Sequence, residues 1–157
     1  MTPAIKVLEK QNIQFVLHSY HHDESAPSYG LEAVQELNTS ADRVFKTLVT
    51  QSVEGHLVVA IVPVSGSLSL KKLSAAVGTK KIAMADKLKV QSATGYVIGG
   101  VSPVGQKRLL KTILDESAFK HDTIFISAGK RGLDLELRPS DLQIVCSAKT
   151  ALIAASN

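Results

Sequence analysis

The stretch "RVFKTLVTQSVEGHLVVAIVPV", residues 43–64, holds two runs of mostly apolar and β-branched residues on either side of "SVEG". Such runs flanking a short polar stretch that ends in glycine predict two strands joined as a hairpin. No helix fits between them, so this part of the chain does not follow the βαβα alternation of a parallel doubly wound fold.

Upstream, Thr2 and Pro3 form a helix start: a capping hydroxyl, then a ring that fixes φ where no N–H is needed. Ile5 and Leu8 share a face of that helix, and "QFVLHSY" (14–20) reads as a strand. "GLEAVQELN" (30–38) predicts a helix with Leu31, Val34 and Leu37 on its apolar side and Asn38 at its end. Downstream of the hairpin, "SGS" (65–67) reads as a turn, and Ser69 caps a helix lined by Leu70, Leu73 and Val77 and stopped by Gly78. "MADKLKVQSA" (84–93) is a second helix, opened at Asp86, and "LLKTILD" (109–115) a strand. "DTIFIS" and "LDLEL" are strands joined across "AGKRG", with Leu133, Leu135 and Leu137 on one face and Asp134 and Glu136 on the other. Pro139 opens a final helix. Strands and helices come mixed, with no repeat and no linker, which predicts a single α+β domain over residues 1–157.

The chain is 45% hydrophobic but only 4% aromatic, so its core must be built from Val, Leu, Ile and Ala. No apolar run approaches the ~18 residues needed to span a bilayer. "MTPAIKVLEKQ" carries charges where a secretory signal would be apolar, and the expected location is cytoplasmic, with no membrane contact. The one cysteine, Cys146, excludes an internal disulfide and a Cys-based zinc site. Charge is unevenly spread: Lys71 to Lys111 holds nine Lys or Arg and one acid, Asp86, while the rest of the chain is net negative. This is either a solvated face or a surface for a polyanion.

"ATGYVIGGVSPVGQKR" (93–108) holds four of the ten glycines. It is neither a P-loop, since Gln106 and Lys107 follow Gly105 where Lys and a hydroxyl are required, nor a G-x-G-x-x-G turn. Both nucleotide-cofactor readings fail. Adjacent glycines before Pro103 make either a plain turn or a loop that presents backbone N–H groups to a carbonyl or an oxyanion. Lys46 sits between Val44 and Leu48 on its own strand face. Its amine either snorkels from an edge strand or points into a cleft toward an anion such as a phosphate. "HHD" at 21–23 lacks a second cluster and reads as a solvated turn rather than a metal site; Cys146 reads as a buried small residue. No serine lies in a G-x-S-x-G elbow, so no protein nucleophile is evident.

The set "YHHD…SYG", "FKTLV", "MADK…TGYVIGGVSPVGQKR" and "SAGKRGLDLEL" resembles the small bacterial Cys-tRNA(Pro) deacylases of the YbaK type. These are free-standing relatives of the insertion (editing) domain of bacterial prolyl-tRNA synthetase. The resemblance covers essentially the whole chain. It implies a mixed sheet partly closed into a barrel, flanking helices, and hydrolysis of cysteine wrongly esterified to tRNA(Pro), without metal or cofactor. On that similarity Lys46 would hold the phosphate or terminal adenosine of the tRNA. Gly99, Gly100, Val101, Ser102 and Pro103 would lie against the aminoacyl carbonyl, and Tyr20, Tyr29, Thr47, Ser127 and Asp134 would shape the amino-acid pocket. The substrate's own thiol would act as nucleophile, which fits the missing protein one. Lys71, Lys72, Lys80, Lys81, Lys107 and Arg108 become a tRNA-facing surface, with prolyl-tRNA synthetase as partner and source of tRNA selectivity. Two positions depart from the family pattern: Tyr29, more often Phe, and Ala128-Gly129, usually paired glycines. Two other readings stand beside this one: a deacylase for another small amino acid such as alanine, and a non-enzymatic module that binds tRNA or a synthetase.

Overall fold

A computed structural model describes all residues, 1–157. Helix α1 (Pro3–Lys10) starts as its sequence dictates: Thr2 Oγ1 accepts a hydrogen bond from the Ile5 N–H (3.4 Å), and Ala4, Ile5 and Leu8 are buried. Strand β1 (Val16–Ser19) follows, then α2 (Tyr29–Glu36), capped by Ser28. The hairpin is present as β2 (Phe45–Ser52) and β3 (Leu57–Pro63), paired antiparallel from Phe45↔Pro63 to Gln51↔Leu57. After it come β4 (Gly66–Leu68), α3 (Leu70–Val77), β5 (Ile82–Met84), α4 (Lys87–Thr94) and β6 (Lys111–Asp115). A short 3-10 turn (Glu116–Lys120) leads to β7 (Ile124–Lys130), β8 (Leu133–Leu137), α5 (Pro139–Val145), β9 (Lys149–Ala151) and β10 (Ala154–Ser156).

The largest sheet has the order β5-β2-β3-β6-β9, with β6 and β9 added in parallel to the antiparallel hairpin. β3 is central, which explains its unbroken apolar run: both faces are covered. Val59 and Ile61 enter the main core with Leu8, Ile126 and Leu135. Val58, Ala60 and Val62 enter a second one with Leu73, Ile82, Ile113 and Ile153, beneath α3. A second sheet, β1-β8-β7, is antiparallel throughout. The two meet at one parallel bridge, Val44↔Phe125, and the expected partial barrel amounts, in the ladders, to that bridge. No helix is long and apolar enough to cross a membrane.

Three expectations change. "SGS" is not only a turn: Gly66–Leu68 pairs with β10, and a Cβ at Gly66 would lie 2.8 Å from the Ala155 carbonyl. α5 is the final helix expected at Pro139, but two strands that the sequence did not announce, β9 and β10, follow it. They are fastened by Asp115, whose buried Oδ1 accepts from the N–H groups of Ile153 and Ala154, both at 2.9 Å. Finally, α2 buries only part of its expected apolar side: Val34 and Leu37 pack half-buried against Val44, Val64 and Phe125. Leu31 is exposed, while Ala33 and Glu32 are buried. The helix comes close to the chain just beyond β3 at Gly30, where a Cβ would meet Val64 Cγ2 at 2.8 Å.

Candidate functional site

β5 covers the outer edge of β2 only at Thr50–Ser52, and the bridge from β7 touches that side only at Val44. The uncovered stretch between opens onto a cavity of about 450 Å³. Its other walls are the start of α2, the glycine loop after α4, and the β7–β8 pair with its turn. Eight predicted residues from six separate segments line it: Tyr20, Tyr29, Lys46, Thr47, Gly99, Val101, Ser127 and Asp134. Gly100, Ser102 and Pro103 do not.

Those three pack behind the wall. Gly100 is buried, and a Cβ there would sit 3.2 Å from Lys130 Cα; its N–H donates to the Val97 carbonyl (2.9 Å). Ser102 is fully buried with its hydroxyl accepting from the Val104 N–H (3.3 Å). The Pro103 carbonyl accepts from the Cys146 thiol at 3.3 Å. Burial pushes that thiol up to about 12, so Cys146 is the inert buried residue expected. Tyr96 anchors the loop from below, its hydroxyl donating to the Val104 carbonyl (2.8 Å). The N–H groups of Gly99 and Val101, unlike that of Gly100, make no hydrogen bond within the chain.

Lys46 is half-buried with no hydrogen-bond or carboxylate partner, and burial lowers its pKa. Thr47 Oγ1 is buried without a partner. Asp134 is 7% exposed and burial raises its pKa to about 7, a shift the His18 charge only partly opposes. Tyr20 is shifted upward by burial and then by the Asp134 charge. Ser127 stands opposite Asp134 in the β7–β8 register, its hydroxyl accepting from the Gly129 N–H (3.0 Å). Glu32 also lines the cavity, but His22 Nδ1 and the Asp23 N–H hold its carboxylate, each at 2.7 Å. Burial pushes Glu32 up; these hydrogen bonds outweigh it and leave the pKa below the ordinary value.

Three further features escaped the sequence reading. Lys130, the last residue of β7, and Arg131, in the turn that follows, line the cavity and pair with no carboxylate. The Arg131 guanidinium lies over the Tyr29 ring, 4.1 Å from its centroid, and Nη2 donates to the Ile98 carbonyl (3.0 Å). Gly99, at φ +91°, fits between them, since a Cβ there would be 2.6 Å from both Arg131 Nε and Tyr29 Cε2. A charged dipeptide before a glycine looks like any solvated turn in sequence, so nothing local marked Arg131. The His22–Glu32 pair was equally hidden; "HHD" uses His22 to brace α2, while His21 and Asp23 are exposed. No group of three metal-ligating side chains occurs. The departure at Ala128 is also accounted for: its methyl is buried in the main core, whereas Gly129 at φ +104° faces the Tyr96 ring and has no room for a side chain.

No histidine or cysteine lines the cavity; the His22 imidazole packs edge-on against the Tyr29 ring, 5.6 Å between centroids, and is tied through Nδ1 to Glu32. The six cations expected on the RNA-facing surface are all exposed and none borders the cavity. Arg108 instead borders a broad groove on the hairpin-turn side, together with His56, Lys89 and Lys111.

Residues 23–144 match the aminoacyl-tRNA editing domain. A protein of Enterococcus faecalis, provisionally named Cys-tRNA(Pro)/Cys-tRNA(Cys) deacylase, is 36% identical over 97% of this chain and 92% of its own length. A proline–tRNA ligase of Brachyspira hyodysenteriae is 28% identical over 70% of this chain, which spans only 20% of that ligase. Among solved structures, one titled as a trans-editing enzyme for prolyl-tRNA synthetase, again provisionally, superposes with a TM-score of 0.82 at 23% identity, over 99% of both chains.

Proposed function

The chain belongs to the aminoacyl-tRNA editing family and is an aminoacyl-tRNA deacylase, and we propose that its substrate is cysteine misattached to tRNA(Pro), with the substrate thiol as nucleophile. The observation that carries this reading is a cavity with an unpaired amine and two unused backbone donors but no base-activated protein nucleophile. Such a site can orient an ester and stabilise its charge, and the nucleophile then has to come with the substrate.

Lys46 would hold a phosphate or the terminal adenosine of the tRNA, and the Gly99 and Val101 N–H groups would face the ester carbonyl oxygen. Tyr20, Tyr29, Thr47, Ser127 and Asp134 would surround the amino acid, and the unpartnered Thr47 hydroxyl offers it a hydrogen bond. The thiol, as thiolate, attacks its own carbonyl carbon. The carbon–oxygen ester bond breaks, the 3′-oxygen leaves and takes up the proton, and cysteine departs as a four-membered thiolactone that water opens. A tethered thiol has a high effective concentration and is a far better nucleophile than a hydroxyl at neutral pH. Selectivity for sulfur is then partly chemical. The likeness to part of a proline–tRNA ligase supports a working partnership with prolyl-tRNA synthetase, which would supply tRNA selectivity.

The test is deacylation of tRNA(Pro) carrying cysteine, serine or alanine. Cysteine is expected to be released at least about 100-fold faster than serine, in line with the thiol's nucleophilic advantage. Equal rates for cysteine and serine would refute the thiol mechanism, and faster alanine release would point to a small-residue deacylase using water. In the same assay Lys46→Ala should lower kcat/KM by about 100-fold, as expected for loss of one charged contact and its positioning, with its melting temperature close to the parent's.

A further inference from the structure

We infer that Arg131 is a second phosphate-binding residue of the site, gripping the phosphodiester at the 3′ end of the acylated RNA; this rests on the deacylase reading above. The guanidinium is held in a defined seat. Its flat face lies on the Tyr29 ring, one nitrogen is tied to the Ile98 carbonyl, and Gly99 packs against its edge. None of these partners carries negative charge, and no carboxylate pairs with it. The remaining N–H donors of an exposed side chain at the cavity wall are therefore available to a ligand.

The surroundings select the sign of that ligand. Lys46 and Lys130 line the same cavity without acidic partners. Of the two acids in the lining, Glu32 is occupied by His22 and the Asp23 amide, and Asp134 holds its proton up to near neutrality. An arginine pre-oriented by stacking presents a planar fork suited to two oxygens of one phosphate, which a lysine cannot reproduce. The contact with Gly99 supplies the mechanical link. A phosphate held by Arg131 sets the RNA end against the same glycine whose N–H is unused, so the grip on the RNA and the placement of its ester share one register. The glycine is required because the arginine sits where its side chain would be.

The test compares Arg131→Ala and Arg131→Lys with the parent on cysteinyl-tRNA(Pro) and on the 3′-cysteinyl ester of adenosine, which has no phosphate. Arg131→Ala is expected to raise KM for the tRNA about ten- to a hundredfold, as for loss of a charge-assisted pair, with kcat changed far less. Arg131→Lys should recover part of the loss. The loss on the adenosine ester should be at least about fivefold smaller, since the phosphate contact is missing from both states. Equal losses on both esters would mean that Arg131 acts only by packing on Gly99 and Tyr29, and no loss on tRNA would remove it from the RNA path; either overturns the inference. Binding of uncharged tRNA is measured alongside: its salt dependence should fall by about one ion in Arg131→Ala, and an unchanged slope also overturns it. A parent that cleaves neither ester would sink the deacylase substrate assignment, while the slope still tests the phosphate grip.

Discussion

Asp134 is a carboxyl that destabilises the protein it belongs to. It is almost fully buried and keeps its proton to about pH 7, whereas an unfolded chain releases it near the ordinary value of about 4. Between those values the folded state binds more protons than the unfolded one, so stability falls as pH rises, and above about 7 the loss is complete. Asp134→Asn removes the charge without changing shape. Thermal melts should show it stabilised by about 1–2 kcal/mol at pH 8 and by little at pH 5, while deacylation drops at both. A variant less stable than the parent at pH 8 would show that the carboxylate has a partner beyond His18. Natural sites keep such strained groups where they serve a ligand. At this scale the sequence was partly legible: Lys46 is conspicuous because a lysine between Val44 and Leu48 on one strand face needs a reason, whereas the seat of Arg131 and the Glu32–His22 pair depend on contacts between separate segments of the chain.

Among the elements, those of seven or more residues follow from local pattern and caps. Thr2, Ser28, Ser69 and Asp86 each accept a hydrogen bond from the first turn of the helix they precede. The three-residue strands β4, β5, β9 and β10 were not legible, since three residues hold barely more than one strand period and their partners are remote, as in Ser67↔Ala155. Besides their ladders to β6 and β4, the last two are tied at their junction by one carboxylate. Burial raises the pKa of Asp115, but hydrogen bonds from Ser117 and from the amides of Ile153 and Ala154 outweigh it and leave the pKa lowered. Its contribution is therefore present above the ordinary carboxylate value and lost as pH falls through the lower folded one. Asp115→Asn should cost about 1–3 kcal/mol at pH 7, read from urea midpoints, because one amide carbonyl replaces a charged acceptor of several donors. The gap to the parent should close in strongly acidic buffer; a gap that stays constant with pH would mean the loss is steric.

For the molecule as a whole, the basic segment of the chain does not supply the cavity: the unpaired cations there, Lys46, Lys130 and Arg131, come from outside it, while Lys71, Lys72, Lys80, Lys81, Lys107 and Arg108 stand exposed away from the cavity. The α+β class and eight of the cavity's lining residues were legible beforehand because they rest on long strands, a glycine loop and a family resemblance. The inward turn of Gly100, Ser102 and Pro103 was not, because alternation along a loop says nothing about which side is wall. If the outer cations carry RNA, Lys107→Glu with Arg108→Glu should weaken tRNA binding about tenfold and flatten its salt dependence, with an unchanged melting temperature; binding insensitive to both would assign that face to another role. Behind the glycine loop, meanwhile, Cys146 is sealed into the wall with its thiol turned to a carbonyl. A catalyst whose proposed product is free cysteine thus exposes no thiol of its own. It offers that product no site for a mixed disulfide, and a colour-forming thiol reagent added to the reaction reports released amino acid against a silent protein background.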